Sequence, residues 1–366
     1  MNQKIHDILE AGTMAPSGDN CQPWKFIVED NRVEIRLLPE RDTSLYSWGQ
    51  RASYLAHGAL LENIFIAAQQ KGYQVLLDEF PQPNDVALTA VVSFDEHAVL
   101  TKEHELFPSI YTRCTNRKPY KETHLTVEQD QLFMRTNEEV KGARVALLTN
   151  EQFFDELASA GGLNERILFE NKELHRFFFE HINWTRAEDE NRRMGFRPET
   201  LEIPTPVLPM FKLARRWGFT RLLRLLNFPK VLAKQNAKIY RQAAAFGAII
   251  MPATKKEDYL AAGHALQRTW LKGTAMGLSL QPLTGIFFLN LHLLNGNGEK
   301  SSLSMEHEQL IADMYQKTHQ IFSTENECIA LMFRVGTGGT PTARTVRLPI
   351  ETSIEERVVA KSLISL

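Results

Sequence analysis

The sequence predicts an α+β fold in which a helix–glycine–strand unit occurs twice, once toward each end of the chain. Three observations carry this. A long helix with an apolar face is predicted over 52–71 and stops at Gly72; another over 258–276 stops at Gly277. Apolar runs of strand character accompany them, at 87–94 for the first and at 248–252 and 327–335 for the second. Aligned on the two glycines, Leu61-Glu62-Asn63-Ile64 lies over Leu266-Gln267-Arg268-Thr269, with weak identity. A duplicated domain is one explanation. The other is that any protein of helices and strands shows such units.

A helix is predicted over 5–14, apolar at Ile5, Ile8, Leu9 and Met14. Strands over 25–29 and 33–38 are joined by Asp30-Asn31-Arg32 as a hairpin. In 52–71, Leu55, Ala59, Leu60, Ile64, Ala67 and Ala68 recur at helical spacing. A helix over 125–137 starts at Thr126, with Gln129 as its capping-box partner. From 184 to 241 the pattern changes. Gly195-Phe196-Arg197-Pro198 and Ile203-Pro204-Thr205-Pro206-Val207-Leu208-Pro209 are extended and punctuated by proline. A helical stretch over 212–238 is rich in Lys and Arg, with Phe211, Leu213, Leu222, Leu223, Leu225 and Leu226 on its apolar positions. This reads as an insertion laid over the body. A basic amphipathic helix can touch a membrane or an acidic partner, and is more often an ordinary surface helix. The prolines would stiffen a cover loop, so a lid over a ligand is the sharper reading.

Composition sets the bounds. A chain of 366 residues holds two domains or one large one. With 23% charged and 43% hydrophobic residues it packs as a globular protein, and a net charge of −2 gives nucleic acid no foothold as main partner. Cys21, Cys114 and Cys328 lie far apart without metal-type spacing, which suits reduced thiols in the cytoplasm. The first residues open into an amphipathic helix with no apolar signal core, and no apolar stretch reaches 18 residues, so neither export nor a membrane span is expected. No Ser/His/Asp array, metal spacing or paired-carboxylate motif is apparent. His57, His175, His181 and His264 are expected to pack or face solvent.

The most informative stretch is Ala15-Pro16-Ser17-Gly18-Asp19-Asn20-Cys21-Gln22-Pro23-Trp24. Pro16 and Gly18 shape a turn, and Ser17, Asn20 and Gln22 can donate and accept hydrogen bonds. A polar loop between a helix and a buried strand can hold a flat ring rich in hydrogen-bonding groups. Farther on, Arg113-Cys114-Thr115-Asn116-Arg117-Lys118-Pro119-Tyr120 sets two guanidinium groups and a hydroxyl before a helix, which suits phosphate, or else makes a solvated basic turn.

The first stretch resembles the P-S-x-x-N-x-Q-P-W motif of the nitroreductase family of FMN proteins. The second resembles that family's R-x-[ST]-x-R phosphate motif. Gly277-Leu278 followed by Pro282-Leu283-Thr284-Gly285 resembles its G-L-x-x-x-P-x-x-G segment beside the flavin ring. More narrowly, the chain is similar to the tandem group that includes the Acg proteins, in which two nitroreductase folds are fused as an internal pseudo-dimer. The resemblance implies two domains, each a mainly antiparallel sheet packed with helices. They would span 1–110 and 111–350, the latter carrying the insertion at about 184–241, with 351–366 as a tail. In single-domain relatives the arginine motif precedes the P-S-x-x-N loop. Here nothing like it precedes Ala15 and no second P-S-x-x-N loop follows Arg117. Each half therefore carries part of a site, which implies one FMN per chain.

The resemblance also implies the roles. Arg113, Thr115 and Arg117, with Cys114 beside them, would hold the phosphate. Pro16, Ser17, Gly18, Asn20 and Gln22 would meet the pyrimidine edge or ribityl chain. Pro282, Leu283, Thr284 and Gly285 would lie along the ring, with the Thr284 backbone N–H near flavin N5. One of Arg344 and Arg347 would complete the phosphate site. Cys21 reads as buried filler in the loop. The activity implied is an FMN oxidoreductase taking electrons from NAD(P)H to a nitro compound, quinone or similar small acceptor, in a monomer or a homodimer. The alternative is a flavin-storing protein whose lid shuts the ring face. Access to the ring is what separates the two.

Overall fold

In a computed structural model, residues 1–96, 104–296 and 302–357 are described. The strands form two sheets. The first contains β1 (Trp24–Glu29), β2 (Arg32–Leu37), β3 (Gln74–Glu79), β4 (Leu88–Asp95) and β9 (Ile354–Glu356), in the order β3-β4-β2-β1-β9. The second contains β5 (Arg144–Leu148), β6 (Ala245–Met251), β7 (Ser279–Leu283) and β8 (Cys328–Gly336), in the order β5-β6-β8-β7. Every pairing is antiparallel except that of β9 with β1. The β1–β2 hairpin, the capping box at Thr126 and the helix stops at Gly72 and Gly277 stand where the sequence placed them.

Strand β6 is the spine of the second sheet. Its residues alternate between two faces. Ala245, Ile249 and Met251 join the core under the Lys256–Ala275 helix, whereas Phe246, Ala248 and Ile250 join the core under the Phe154–Glu170 helix. Helices on both faces make this antiparallel strand read as one continuous apolar run. Gly247 interrupts it for a steric reason: a Cβ there would lie 2.1 Å from the Phe333 ring.

The long helices Arg51–Lys71 and Lys256–Ala275 cross at glycine. A Cβ on Gly58 would lie 1.9 Å from the Leu260 carbonyl oxygen, and one on Gly263 would lie 2.0 Å from that of Leu55. Gly58 stands 14 residues before Gly72, and Gly263 stands 14 before Gly277. Polar pairs flank the crossing in the same reciprocal way. Arg268 donates to Glu62 at 2.5 Å, and Gln267 donates to Asn63 at 2.7 Å. In the glycine-aligned register Glu62 matches Gln267 and Asn63 matches Arg268, so these are one contact made twice.

Two expectations change. The stretch over 212–238 is not one helix: Leu208–Ala214, Trp217–Leu225 and Phe228–Arg241 are separated by turns at Arg216 and at Asn227, whose φ is 55°. Their cover also draws on Leu168, Phe169, Phe179 and Ile182, so it begins well before 184. The expected tail at 351–366 is likewise not separate where it is described. Ile350 packs in the core of the first sheet and β9 adds to its edge, while 358–366 lie outside the described residues. Residues 337–350 therefore cross from the second sheet to the first, and they pass the candidate site on the way.

Candidate functional site

A cavity of about 870 Å³ opens where the loop after the first helix, the Arg113–Arg117 segment, the end of β7 and the 343–347 crossing meet. That volume lies within the roughly 300–1,000 Å³ typical of sites for small organic ligands. Fourteen of the fifteen residues singled out above line it: Pro16, Ser17, Gly18, Asn20, Arg113, Cys114, Thr115, Arg117, Pro282, Leu283, Thr284, Gly285, Arg344 and Arg347. The exception is Gln22. Its side chain points away and donates to the Arg193 carbonyl at 2.7 Å while accepting from the Leu348 N–H at 2.9 Å. It ties the cover and the crossing segment to the loop, and is not placed to touch a ligand.

The loop is held in unusual backbone geometry. Asp19, Asn20 and Gln22 all have positive φ, at 45°, 55° and 49°. Short polar residues tolerate this region and glutamine rarely does, so the surroundings must impose it. They do so with hydrogen bonds. The Ser17 hydroxyl accepts from the Gln22 N–H at 2.9 Å, and Asn20 donates to the Val346 carbonyl at 2.9 Å. The Gly195 N–H donates to the Asp19 carbonyl at 3.0 Å. The Arg113–Arg117 segment is set by the second sheet: Thr115 bridges Leu280 in parallel, and the Asn116 amide donates to Ser279 Oγ at 2.8 Å and to the Gly339 carbonyl at 2.7 Å. Pro282 is tolerated because β7 is an edge strand. Gly285 lacks a side chain for Asn164, whose Oδ1 would lie 1.9 Å from a Cβ, and Asn164 in turn accepts from the Tyr46 hydroxyl at 2.9 Å.

Four arginines line the cavity, and among the described residues none makes an ion pair with a carboxylate. Arg113 is 6% exposed. Its guanidinium lies 4.5 Å from the centre of the Trp270 ring and gives one hydrogen bond, to the Met14 carbonyl at 2.9 Å, which leaves its Nε without a partner. Burial, with Arg347 and Arg344 nearby, pulls its pKa down to about 9. Burial pulls Arg347 to about 10. The donors of Arg347 are largely committed to Asn20 Oδ1 at 2.7 Å and to the Thr13 and Ala15 carbonyls. Arg344 is exposed and holds the Tyr111 and Arg113 carbonyls. Both arginines reach the site, where one was expected, and both brace backbone. Arg117 is held by the cover, donating to the Thr200 carbonyl at 2.9 Å with the Phe196 ring 5.4 Å away. A buried cation without a carboxylate partner, with three more guanidinium groups lining the same cavity, creates a demand for an anion. The orphaned Arg113 Nε and the cluster of guanidinium groups fit a phosphate.

The acids lining the cavity were not legible in the sequence. Glu165, on the Phe154–Glu170 helix, accepts from the Tyr240 hydroxyl at 2.7 Å, and its second oxygen has no partner. Burial pushes its pKa up to about 7. Burial also pushes Asp19 up to about 6, with Asp42 adding to the rise and His181 and Arg117 opposing it. Both can hold a proton near neutrality. Glu165 stands on an ordinary amphipathic helix, and only the fold reveals it. Past these acids the cavity turns apolar beneath the cover, along Phe169, Phe178, Phe211, Leu223, Phe228 and Leu232. No histidine lines it among the described residues. His57 is buried against the Pro23 carbonyl at 2.9 Å, and its pKa falls to about 4. Cys21 is buried outside the lining, where burial raises its thiol pKa.

No protein-family model matches the chain. It is 26% identical over 287 residues to the uncharacterized protein MT1398 of Mycobacterium tuberculosis (strain CDC 1551 / Oshkosh), covering 76% of this chain and 38% of that one. It is 29% identical over 179 residues to the putative NAD(P)H nitroreductase acg of M. tuberculosis (strain ATCC 25618 / H37Rv), covering 48% and 53%. The chain thus spans about half or less of the length of these curated relatives. Among solved structures, a nitroreductase with bound FMN from Desulfitobacterium hafniense DCB-2 aligns with a TM-score of 0.37 at 10% identity, over 69% of this chain and 98% of that one. The NADPH:FMN oxidoreductase from Vibrio harveyi complexed with NAD+ aligns with a TM-score of 0.36 at 12% identity, over 69% and 77%. Scores of that size establish nothing on their own, and the sequence match carries the relationship. By sequence, the chain is a relative of the Acg-type putative nitroreductases, the group to which its loop motifs point.

Proposed function

We propose that this protein is an FMN-dependent oxidoreductase that takes electrons from NAD(P)H and passes them to a small acceptor such as a nitro compound or quinone. One observation carries the reading: a cavity in which four arginines without carboxylate partners, Arg113 buried among them, converge with the strained Pro16–Asn20 loop and the β7 end. Arg113, Thr115 and Arg117 would hold the phosphate, and Arg347 would hold the loop through Asn20. Ser17, Gly18 and Asn20 would face the polar edge of the ring system, and Pro282 to Gly285 would lie along it. Bound FMN supplies two-electron chemistry, so the protein need only orient, screen and protonate. Glu165 is the side chain best suited to hold a proton there.

The site is composite in this reading. The two helix–glycine–strand units form an internal pseudo-dimer, with residues from 350 on returning to the first unit, and they share a single site. The reciprocal Gly58 and Gly263 crossing and the twice-made polar pair support that arrangement. An internal partner suits a cytoplasmic monomer.

The test is anaerobic titration of the FMN-loaded protein with NADPH and then NADH. Bleaching of the flavin band within seconds supports an enzyme and justifies an acceptor screen. A bound flavin that neither nucleotide bleaches rejects NAD(P)H turnover and favours storage beneath the cover.

A further inference from the structure

The cover has an outer face that the flavin site does not explain. Residues 203–256 contain no Asp or Glu, and 212–241 carry nine of the chain's 42 Lys and Arg residues, among them Arg221, Arg224, Lys230 and Lys234. The chain as a whole is at −2, so its positive charge is concentrated here. Large apolar side chains stand exposed among these bases. Leu225 is 79% exposed, Leu226 72%, Leu222 55% and Val231 51%. They lie on the Trp217–Leu225 and Phe228–Arg241 helices and the turn between them, and these two helices pack on each other. The inner faces of the same helices give Leu223, Phe228 and Leu232 to the cavity. The cover is therefore apolar on both sides and basic around its outer side.

We propose that the outer face of the 208–241 helices docks on an anionic lipid surface. Charge selects this occupant. A helical face with Leu among Lys and Arg and no acid fits the interfacial amphipathic pattern, in which apolar side chains enter the acyl boundary and cations meet lipid headgroups. No described helix is long and apolar enough to cross a membrane, so the contact is peripheral. The sequence favours an ordinary surface helix here over a membrane contact; the exposure of these leucines among the bases is what changes that reading. A consequence, which rests on the oxidoreductase reading whereas the docking does not, is that the apolar half of the cavity would receive a lipid-soluble acceptor.

The test is co-sedimentation of the full chain with vesicles of phosphatidylcholine alone and with about 30% phosphatidylserine, a composition chosen to give the negative surface potential that attracts basic segments. The expected result is at least about tenfold stronger binding to the anionic vesicles, weakened as added salt shortens the screening length. Two variants at exposed positions, L225D/L226D and K230E/K234E, should each lose most of that binding while keeping the parent's melting temperature and flavin content. Retained flavin content separates loss of docking from loss of the site. No binding to either vesicle overturns the proposal, as does equal binding to both that survives the substitutions. A lipid-free dimer in sedimentation analysis that L225D/L226D dissolves also overturns it, because the face would then cover a second copy.

Discussion

Replacing Arg113 with methionine should make the flavin-free protein more stable and the loaded protein weaker. The guanidinium is 6% exposed, lacks a carboxylate partner and keeps an orphaned Nε. Its pKa falls from the ordinary arginine value to about 9, which corresponds to roughly 4–5 kcal/mol against the charged form. The folded-state pKa is the lower one, so this cost is present at all pH values below about 9. Against it stand the hydrogen bond to Met14 and the stacking on Trp270, together worth about 2–3 kcal/mol. Methionine keeps much of the apolar stem and removes the charge. The apo variant should therefore gain about 1–3 kcal/mol. Loss of a charge-assisted phosphate contact should cost about 1.5–3 kcal/mol of FMN affinity, or roughly 10- to 150-fold in Kd. Denaturant melts of the apo protein and fluorescence titration with FMN measure the two quantities. A destabilised apo variant that binds FMN as tightly as the parent would refute the reasoning, because Arg113 would then be a structural residue.

Other outcomes follow from the same geometry. Arg117→Ala should weaken FMN binding by about 1.5–3 kcal/mol in the same titration, whereas substitution of His57, which points at Pro23 outside the cavity, should leave it unchanged. Glu165 has a raised pKa of about 7 against an ordinary 4.5. The folded apo protein therefore holds a proton that the unfolded chain has released, and stability should fall as pH rises through that window. Glu165→Gln should remove this slope, its advantage over the parent growing by about 1–3 kcal/mol between roughly pH 5 and 8 in paired chemical melts; parallel curves would place the carboxyl in water. Gly263→Ala would set a Cβ 2.0 Å from the Leu55 carbonyl oxygen and should cost about 2 kcal/mol or more, read as a lower melting temperature.

How much was legible depended on where the information lay. Strand β6 was readable because burial on both faces leaves a continuous apolar run, and the two long helices because their apolar positions recur at helical spacing and end at glycine. The Pro16–Asn20 loop was readable because Ser17 and Asn20 do local work that suits short polar residues: Ser17 accepts the Gln22 N–H and Asn20 takes a positive φ. Gln22 misled because its side-chain amide is taken up by the Arg193 carbonyl and the Leu348 N–H, both far away in the chain. Strand β9 was invisible: it is three residues long and mostly exposed, and it exists only because the edge of β1 is there to receive it. Glu165 was invisible for a related reason. Its helix looks ordinary, and its pKa follows from burial supplied by the cover.

The most direct test of the central claim is the flavin stoichiometry of the purified full chain after reconstitution with FMN and removal of the excess. Absorbance near ~450 and ~370 nm, the bands of a bound oxidised flavin, should correspond to one FMN per chain. Two per chain would contradict a single composite site, and none would contradict the assignment of the cavity itself.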